Sequence, residues 1–353
     1  MEQEDYLLLL FDRVQWRRSR AILNLLKGKR TVSNLYAGLT YQLLPLYQLM
    51  PHLNDVNFKR GLDRLKQRGQ LEMEEKRYRL TEAGLKSQQT FMLAHFVPQW
   101  FNGFKQPNLQ HFMARLFLAT QVTSEYTRHN ARYYPLEVSE VDQQAVKVWF
   151  TQHKSPQLGH ALLREWQQFL QQLPQHDADI YSQFLVGYKI TRFALPQVAQ
   201  LFKLMPLEVA LYQIDITAHL INLLQKTPVD FPLLAALWQP LAQGVLSQSS
   251  ALTYRLALQG TDLTKIAQMR RLRPGTITEH LLEAAILTPN FPYKTYLTAT
   301  QRQKLATAFS GTVIDDWQYD LVAAQDISFF TFRLYQIEWR RSHEYGGIDK
   351  NIN

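Results

Sequence analysis

The chain contains no cysteine, which excludes structural disulfides, cysteine nucleophiles, Cys-ligated zinc and iron–sulfur clusters together. Long apolar runs are missing as well. The start, MEQEDYLLLLFDR, sets acidic residues ahead of about five apolar ones, too few for a signal peptide and far too few for a bilayer span. A soluble, reducing, cytoplasmic setting is therefore expected. No GxGxxG opens a strand–helix unit, no GxSxG elbow occurs, and none of the ten histidines stands in HExxH. Gly28-Lys29-Arg30-Thr31 resembles the end of a phosphate-binding loop, yet Leu25, Leu26 and Lys27 precede it where a glycine-rich cradle is needed. His176, Asp177 and Asp179 form the densest candidate for a divalent cation. Paired carboxylates at Asp315-Asp316 and Glu74-Glu75 have no second cluster nearby in sequence to complete a two-metal site. These absences point away from an enzyme and imply no cofactor and no metal.

What is present is an ordinary folded composition with a basic balance. The 353 residues are 46% hydrophobic, enough for two or three domains with sizeable cores. Lys and Arg number 39 against 30 Asp and Glu, a net charge of +9 that favours polyanionic partners. Glutamines paired between helical apolar positions fit long polar helix faces of low charge.

Residues 1–90 read as a small basic domain. Ile22, Leu25, Leu26, Val32, Leu35 and Leu39 fall at helical spacings with Gly28 as a break. The segment NFKRGLDRLKQRGQL is amphipathic, with Lys59, Arg60, Arg64, Lys66 and Arg68 mainly on its solvent side and Gly69 as its stop. Leu71, Met73, Tyr78 and Leu80 then alternate around a charged turn at Glu74, Glu75 and Lys76, as in a hairpin that also carries Arg77. Helix, helix and charged hairpin is the winged-helix order; a plain helical domain with an incidental hairpin is the alternative. Residues 91–248 hold amphipathic runs broken by prolines and read as a helical scaffold without a regular repeat.

Residues 249–286 carry the clearest local motif. One helix ends at Gly260, a second spans Leu263 to Met269 with Ile266 and Ala267 inward, and Leu272 plugs a turn. Pro274 then opens a third helix holding Ile277 and Leu281 at i and i+4. This is a helix-turn-helix pattern, whose third helix would enter a major groove if DNA is bound that way. Arg270, Arg271, Arg273 and Thr276 are placed to meet phosphates, and Thr278 to face a base edge. Glu279 and Glu283 oppose a polyanion and favour protein docking instead. Further on, TYLTATQRQKLATAFSG is helix-compatible, and Arg333, Arg340 and Arg341 interleave with Phe329, Phe332 and Tyr335 in an aromatic tail. Those rings fit a packed helical face, or a platform for a nucleic-acid strand. The fold class expected is mainly all-α: a winged-helix-like unit, a helical middle and a domain over 249–345.

Gly260, Ile266, Ala267, Arg270, Leu272, Thr276, Ile277, His280 and Leu281 form the pattern G…IA…R.L…TI..HL. With Asp326-Ile327-Ser328-Phe329-Phe330, Arg333-Leu334 and Leu26-Lys27-Gly28-Lys29-Arg30-Thr31, this chain resembles the YpbB-like bacterial proteins. These carry the helicase helix-turn-helix domain also found in some RecQ-like DNA helicases. The resemblance is specific over about 40 residues and says little about the middle. It implies a non-enzymatic accessory of a RecQ-like helicase in unwinding, repair or recombination, with DNA as a partner. An adaptor docking on the helicase without touching DNA, and a transcriptional regulator, are the competing readings.

Overall fold

The computed structural model describes residues 3–343, so residues 1 and 2 of the first expected domain and 344 and 345 of the last lie outside the described residues. The chain opens with a 3-10 turn, Gln3–Leu10, followed by β1 (Arg17–Arg18), α1 (Ser19–Leu26), α2 (Val32–Thr40), α3 (Asp55–Gln67), β2 (Leu71–Glu74), β3 (Arg77–Leu80) and α4 (Glu82–Ala94). Next come α5 (Leu109–Thr127), α6 (Glu140–His153), α7 (Leu158–Leu170), α8 (Gln175–Ser182), α9 (Leu195–Phe202), α10 (Pro206–Lys226) and α11 (Pro232–Trp238). The last part holds α12 (Gln248–Leu258), α13 (Leu263–Arg270), α14 (Pro274–Leu287), α15 (Tyr293–Tyr296), α16 (Ala299–Ala308), α17 (Asp320–Ala323) and α18 (Phe329–His343). The fold is mainly all-α, with one antiparallel sheet in the order β1-β3-β2. Gly28, Gly69 and Gly260, the expected helix break and stops, all take positive φ, as does Gly311 at the end of the helix-compatible segment TYLTATQRQKLATAFSG.

Two compact units result. One comprises 3–19 and 52–243, the other 20–51 and 244–343. The winged-helix element order is therefore shared out: the strands and α3 belong to the first unit, α1 and α2 to the second.

In the first unit, Asn54 caps α3 by accepting the N–H groups of Val56 and Asn57, and Phe58, Leu62 and Leu65 form its buried stripe. Leu71 pairs with Leu80 and Met73 with Tyr78 across the hairpin. Glu75 and Lys76 both take φ > 0, as a two-residue turn with the strands' own twist demands. At Gly84 the backbone approach is extreme: a Cβ would stand 1.9 Å from the Gln70 carbonyl oxygen.

Three buried carboxylates organise the helical remainder. On α10, Glu208 accepts the Phe96 N–H at 2.7 Å. Asp215, two turns along, accepts those of Gln99, Trp100 and Phe101 at 2.9, 2.8 and 2.7 Å. Together they hold the linker after α4. Burial pushes the Asp215 carboxyl above the usual range and the three N–H groups pull it back. On α7, Glu165 takes the Leu233 and Leu234 N–H groups, both at 2.9 Å, and so caps α11 from a neighbouring helix.

The second unit is built on α14. Ile277, Leu281, Leu282, Ala284, Ala285 and Ile286 are all buried, and α2, α12, α13 and α18 pack around them. At its far end Arg341 donates to the carbonyls of Ala285, Ile286 and Thr288 at 3.0, 3.0 and 2.9 Å, a cation on the negative end of the helix. The other tail arginines also turn inward. Arg340 is 1% exposed and pairs with Asp315, and the Arg333 guanidinium lies 3.8 Å from the centre of the Tyr36 ring. Phe332 and Ile337 are core, while Phe329 is half exposed. The packed-face reading of the tail describes these arginines, and the strand-platform reading does not.

Candidate nucleic-acid interface

The turn between α13 and α14 follows from its residues. Asp262 caps α13 by accepting from Thr264 and Lys265, and Arg271 closes it in the left-handed region at φ 52°. The Leu272 N–H returns to the Ala267 carbonyl at 3.0 Å. Arg273 is then the N-cap of α14 with extended backbone and no side-chain cap bond, and Pro274 follows at the first helical position.

Burial limits how much of α14 faces solvent. From Leu281 to Ile286 every residue is buried, so the exposed part is its first two turns, Pro274, Gly275 and Glu279, with Thr276, Thr278 and His280 half-buried. Arg271 and Arg273 are exposed and make no ion pair or hydrogen bond through their side chains among the described residues. The Gly275 N–H has no acceptor among the described residues either. Two unpaired guanidinium groups thus flank the positive end of a helix with a free donor, an arrangement suited to phosphate oxygens. The Thr278 hydroxyl donates to the Gly275 carbonyl at 2.8 Å, which still leaves it a lone pair for an outside donor.

Arg270 is used differently from its neighbours. Its guanidinium donates to the Ser249 carbonyl at 2.7 Å, to the Ser249 hydroxyl at 3.0 Å and to the Thr253 hydroxyl, so it staples α13 to the start of α12. The Thr253 hydroxyl in turn lies 2.8 Å from His280 Nδ1. Burial, and then the charge of Arg270, lower the His280 pKa and so favour the neutral ring.

Glu283 corrects the expectation that two acids face the ligand. Its side chain is 9% exposed and one oxygen accepts Arg30 Nη2 at 2.8 Å, Arg30 Nε at 3.2 Å and the Ser247 N–H at 2.9 Å. The segment that resembles a phosphate-binding loop is thereby explained: Arg30 braces α14, Thr31 caps α2, and Gly28 makes the turn between α1 and α2. Glu279 alone of the pair is exposed.

On the first unit, Lys59, Arg60 and Lys66 are exposed along α3 and Arg77 is half-buried on β3. Arg64 and Arg68 are exposed but engaged, Arg64 with Glu4 at 2.9 Å and Arg68 with Asp5 at 2.9 Å and Glu4 at 3.3 Å. The basic side of α3 is therefore partly neutralised by the chain's own opening turn. His176, Asp177 and Asp179 do not converge: the His176 ring stands edge-on to Phe202 and Tyr212, and Asp179 accepts the Gln175 amide. Among the described residues no group of three or more His, Asp or Glu is placed to hold a metal ion, and no helix is long and apolar enough to cross a membrane.

Residues 249–336 match the family model of a helix-turn-helix domain. The chain is also similar to Protein YpbB of Bacillus subtilis (strain 168), 21% identical over 294 residues, which cover 82% of this chain and 83% of the relative. Both agree with the resemblance drawn from the sequence. No solved structure matches.

Proposed function

We propose that this protein is a non-enzymatic, cytoplasmic accessory of a RecQ-like DNA helicase, serving unwinding, repair or recombination, and that it meets duplex DNA through Arg271, Arg273 and the start of α14. The observation that carries this is the pair of exposed, unpartnered arginines flanking an uncapped helix end. The helix-turn-helix match supports DNA as the partner class. Thr276 and Thr278 sit on the same exposed turns, where base edges would be met. Lys59, Arg60, Lys66 and Arg77 add a second basic surface in the first unit.

Binding of labelled duplex to the full chain over a salt series tests this. Replacing both arginines by alanine weakens binding and flattens the log–log salt slope by about 2, one counterion per lost phosphate contact. An unchanged slope and affinity would refute duplex binding by this surface. Docking on the helicase without DNA is favoured by a different feature: Leu252, Leu258 and Met269 on α12 and α13 are 43%, 56% and 59% exposed. Under that reading, the arginine variant leaves DNA behaviour unchanged while charged residues at these apolar positions abolish helicase binding.

A further inference from the structure

The first unit contains an open groove of about 900 Å³, unrelated to the helix-turn-helix. One wall is the segment 131–138 between α5 and α6, which lacks regular secondary structure. Its backbone is nonetheless fixed. The buried Gln121 amide donates to the Tyr134 carbonyl at 3.0 Å and accepts the Leu136 N–H at 2.7 Å, standing in for a neighbouring strand. Tyr134 is thus held on an ordered strap with its residue 97% exposed. The opposite wall is a tight turn closed by two bonds between Gly187 and Ile190, and pinned to α5 by the Tyr188 N–H on the Ser124 hydroxyl at 3.1 Å.

Arg192 lines this groove half-buried, its guanidinium 5.2 Å from the Phe117 ring centre and 6.0 Å from that of Phe184. It makes no ion pair and no hydrogen bond among the described residues. A partly desolvated cation without an anion is a costly thing to keep, and burial draws its pKa down. The sequence around it is one-sided. No Asp or Glu occurs between Asp179 and Glu208, or between Glu125 and Glu137. These two acid-free stretches bring Lys189 and Arg192 together with Tyr133, Tyr134 and Phe193 along the groove. Of the groove's two carboxylates, Glu125 is buried and accepts the Asn130 amide at 2.7 Å, and Glu137 lies further along the strap.

A solvent-facing ring on a fixed backbone, lining one groove with an unpaired guanidinium, is the chemistry of single-strand binding, in which a base stacks and its phosphate is neutralised. We propose that this groove binds single-stranded nucleic acid, with a base on Tyr134 and phosphates at Arg192 and Lys189. The site is separate from Arg271 and Arg273, so either stands if the other fails.

The test is fluorescence anisotropy of the full chain with a labelled oligothymidylate of about twelve nucleotides, a length matched to known single-strand sites. Tyr134→Ala, at a position too exposed to disturb folding, raises Kd at least about fivefold, the lower end of base–aromatic stacking. Tyr134→Phe binds as wild type. The Arg271→Ala/Arg273→Ala variant binds this oligonucleotide normally, and Tyr134→Ala binds duplex normally. Wild-type affinity in Tyr134→Ala, or no binding below about 10 μM at low salt, overturns the proposal. So does an oligoglutamate peptide that displaces the oligonucleotide and binds more tightly, since the groove would then be a protein site.

Discussion

Removing the Glu283 carboxylate by Glu283→Ala should loosen the second unit at a predictable place. The substitution takes from the Arg30 guanidinium, 23% exposed, its Glu283 partner while leaving it the Val245 carbonyl, and strips the Ser247 N–H of its acceptor. Breaking a buried pair from one side costs about 3–5 kcal/mol, and the partial exposure of Arg30 reduces that to about 2–4. Glu283→Gln keeps an acceptor and loses the charge, so about 1–2 kcal/mol is expected. Replacing both partners by apolar residues, Arg30→Met with Glu283→Leu, removes the stranded charge and recovers most of the loss. Urea unfolding gives the free energies, and hydrogen exchange of α2 and α14 amides shows where the loss falls. A double-mutant cycle should return a coupling of about 2 kcal/mol. The reasoning is refuted if Glu283→Ala costs under about 0.5 kcal/mol, or if exchange accelerates in α14 and not in α2.

Two other outcomes follow from the buried polar groups. Asp215→Ala abandons three linker N–H groups and should destabilise the first unit by about 2–4 kcal/mol, with proteolytic nicking between residues 95 and 101 as the direct sign. The folded-state pKa of His280 lies below its unfolded value, so folding favours the neutral ring. Stability of the second unit is then full above the unfolded pKa near about 6.5 and declines as pH falls from there toward the lowered folded value. His280→Gln should flatten that part of a stability-against-pH curve; an unaltered slope would assign the acid sensitivity elsewhere.

Local structure was the legible part of the sequence. Helix stops at Gly28, Gly69, Gly260 and Gly311 follow from backbone freedom, and the Ile277–Leu281 pair from period alone, so each could be seen along the chain. The hairpin was equally plain, but its partner β1 was not, because two arginines carry no strand signal and are recruited only by pairing with Tyr78 and Arg77. Arg270 and Glu283 show the general difficulty. Their charge suggested solvent and ligand, whereas each is consumed by atoms 21 and 253 residues away. Arg271 and Arg273, by contrast, stay exposed, with no distant atom claiming them among the described residues. The groove at Tyr134 escaped notice because its walls are fixed to α5 through Gln121 and Ser124, whose side chains reach residues 13, 15 and 64 positions away.

The helix-turn-helix unit is also a timing problem for the ribosome. Its first helices, α1 and α2, are made early, but α14 and α18 emerge only after residues 52–243 have been synthesised. At 5–20 residues per second, roughly 200 intervening residues take about 10–40 s. Throughout that interval Leu25, Leu26, Leu35 and Leu39, all core in the finished unit, have no native cover from it. Nascent chains of this protein should therefore engage a chaperone early and release it late. A fragment beginning at residue 249 would lack both the apolar cover from α2 and the Arg30 counter-ion of Glu283, and should fold poorly unless residues 20–51 are supplied alongside it.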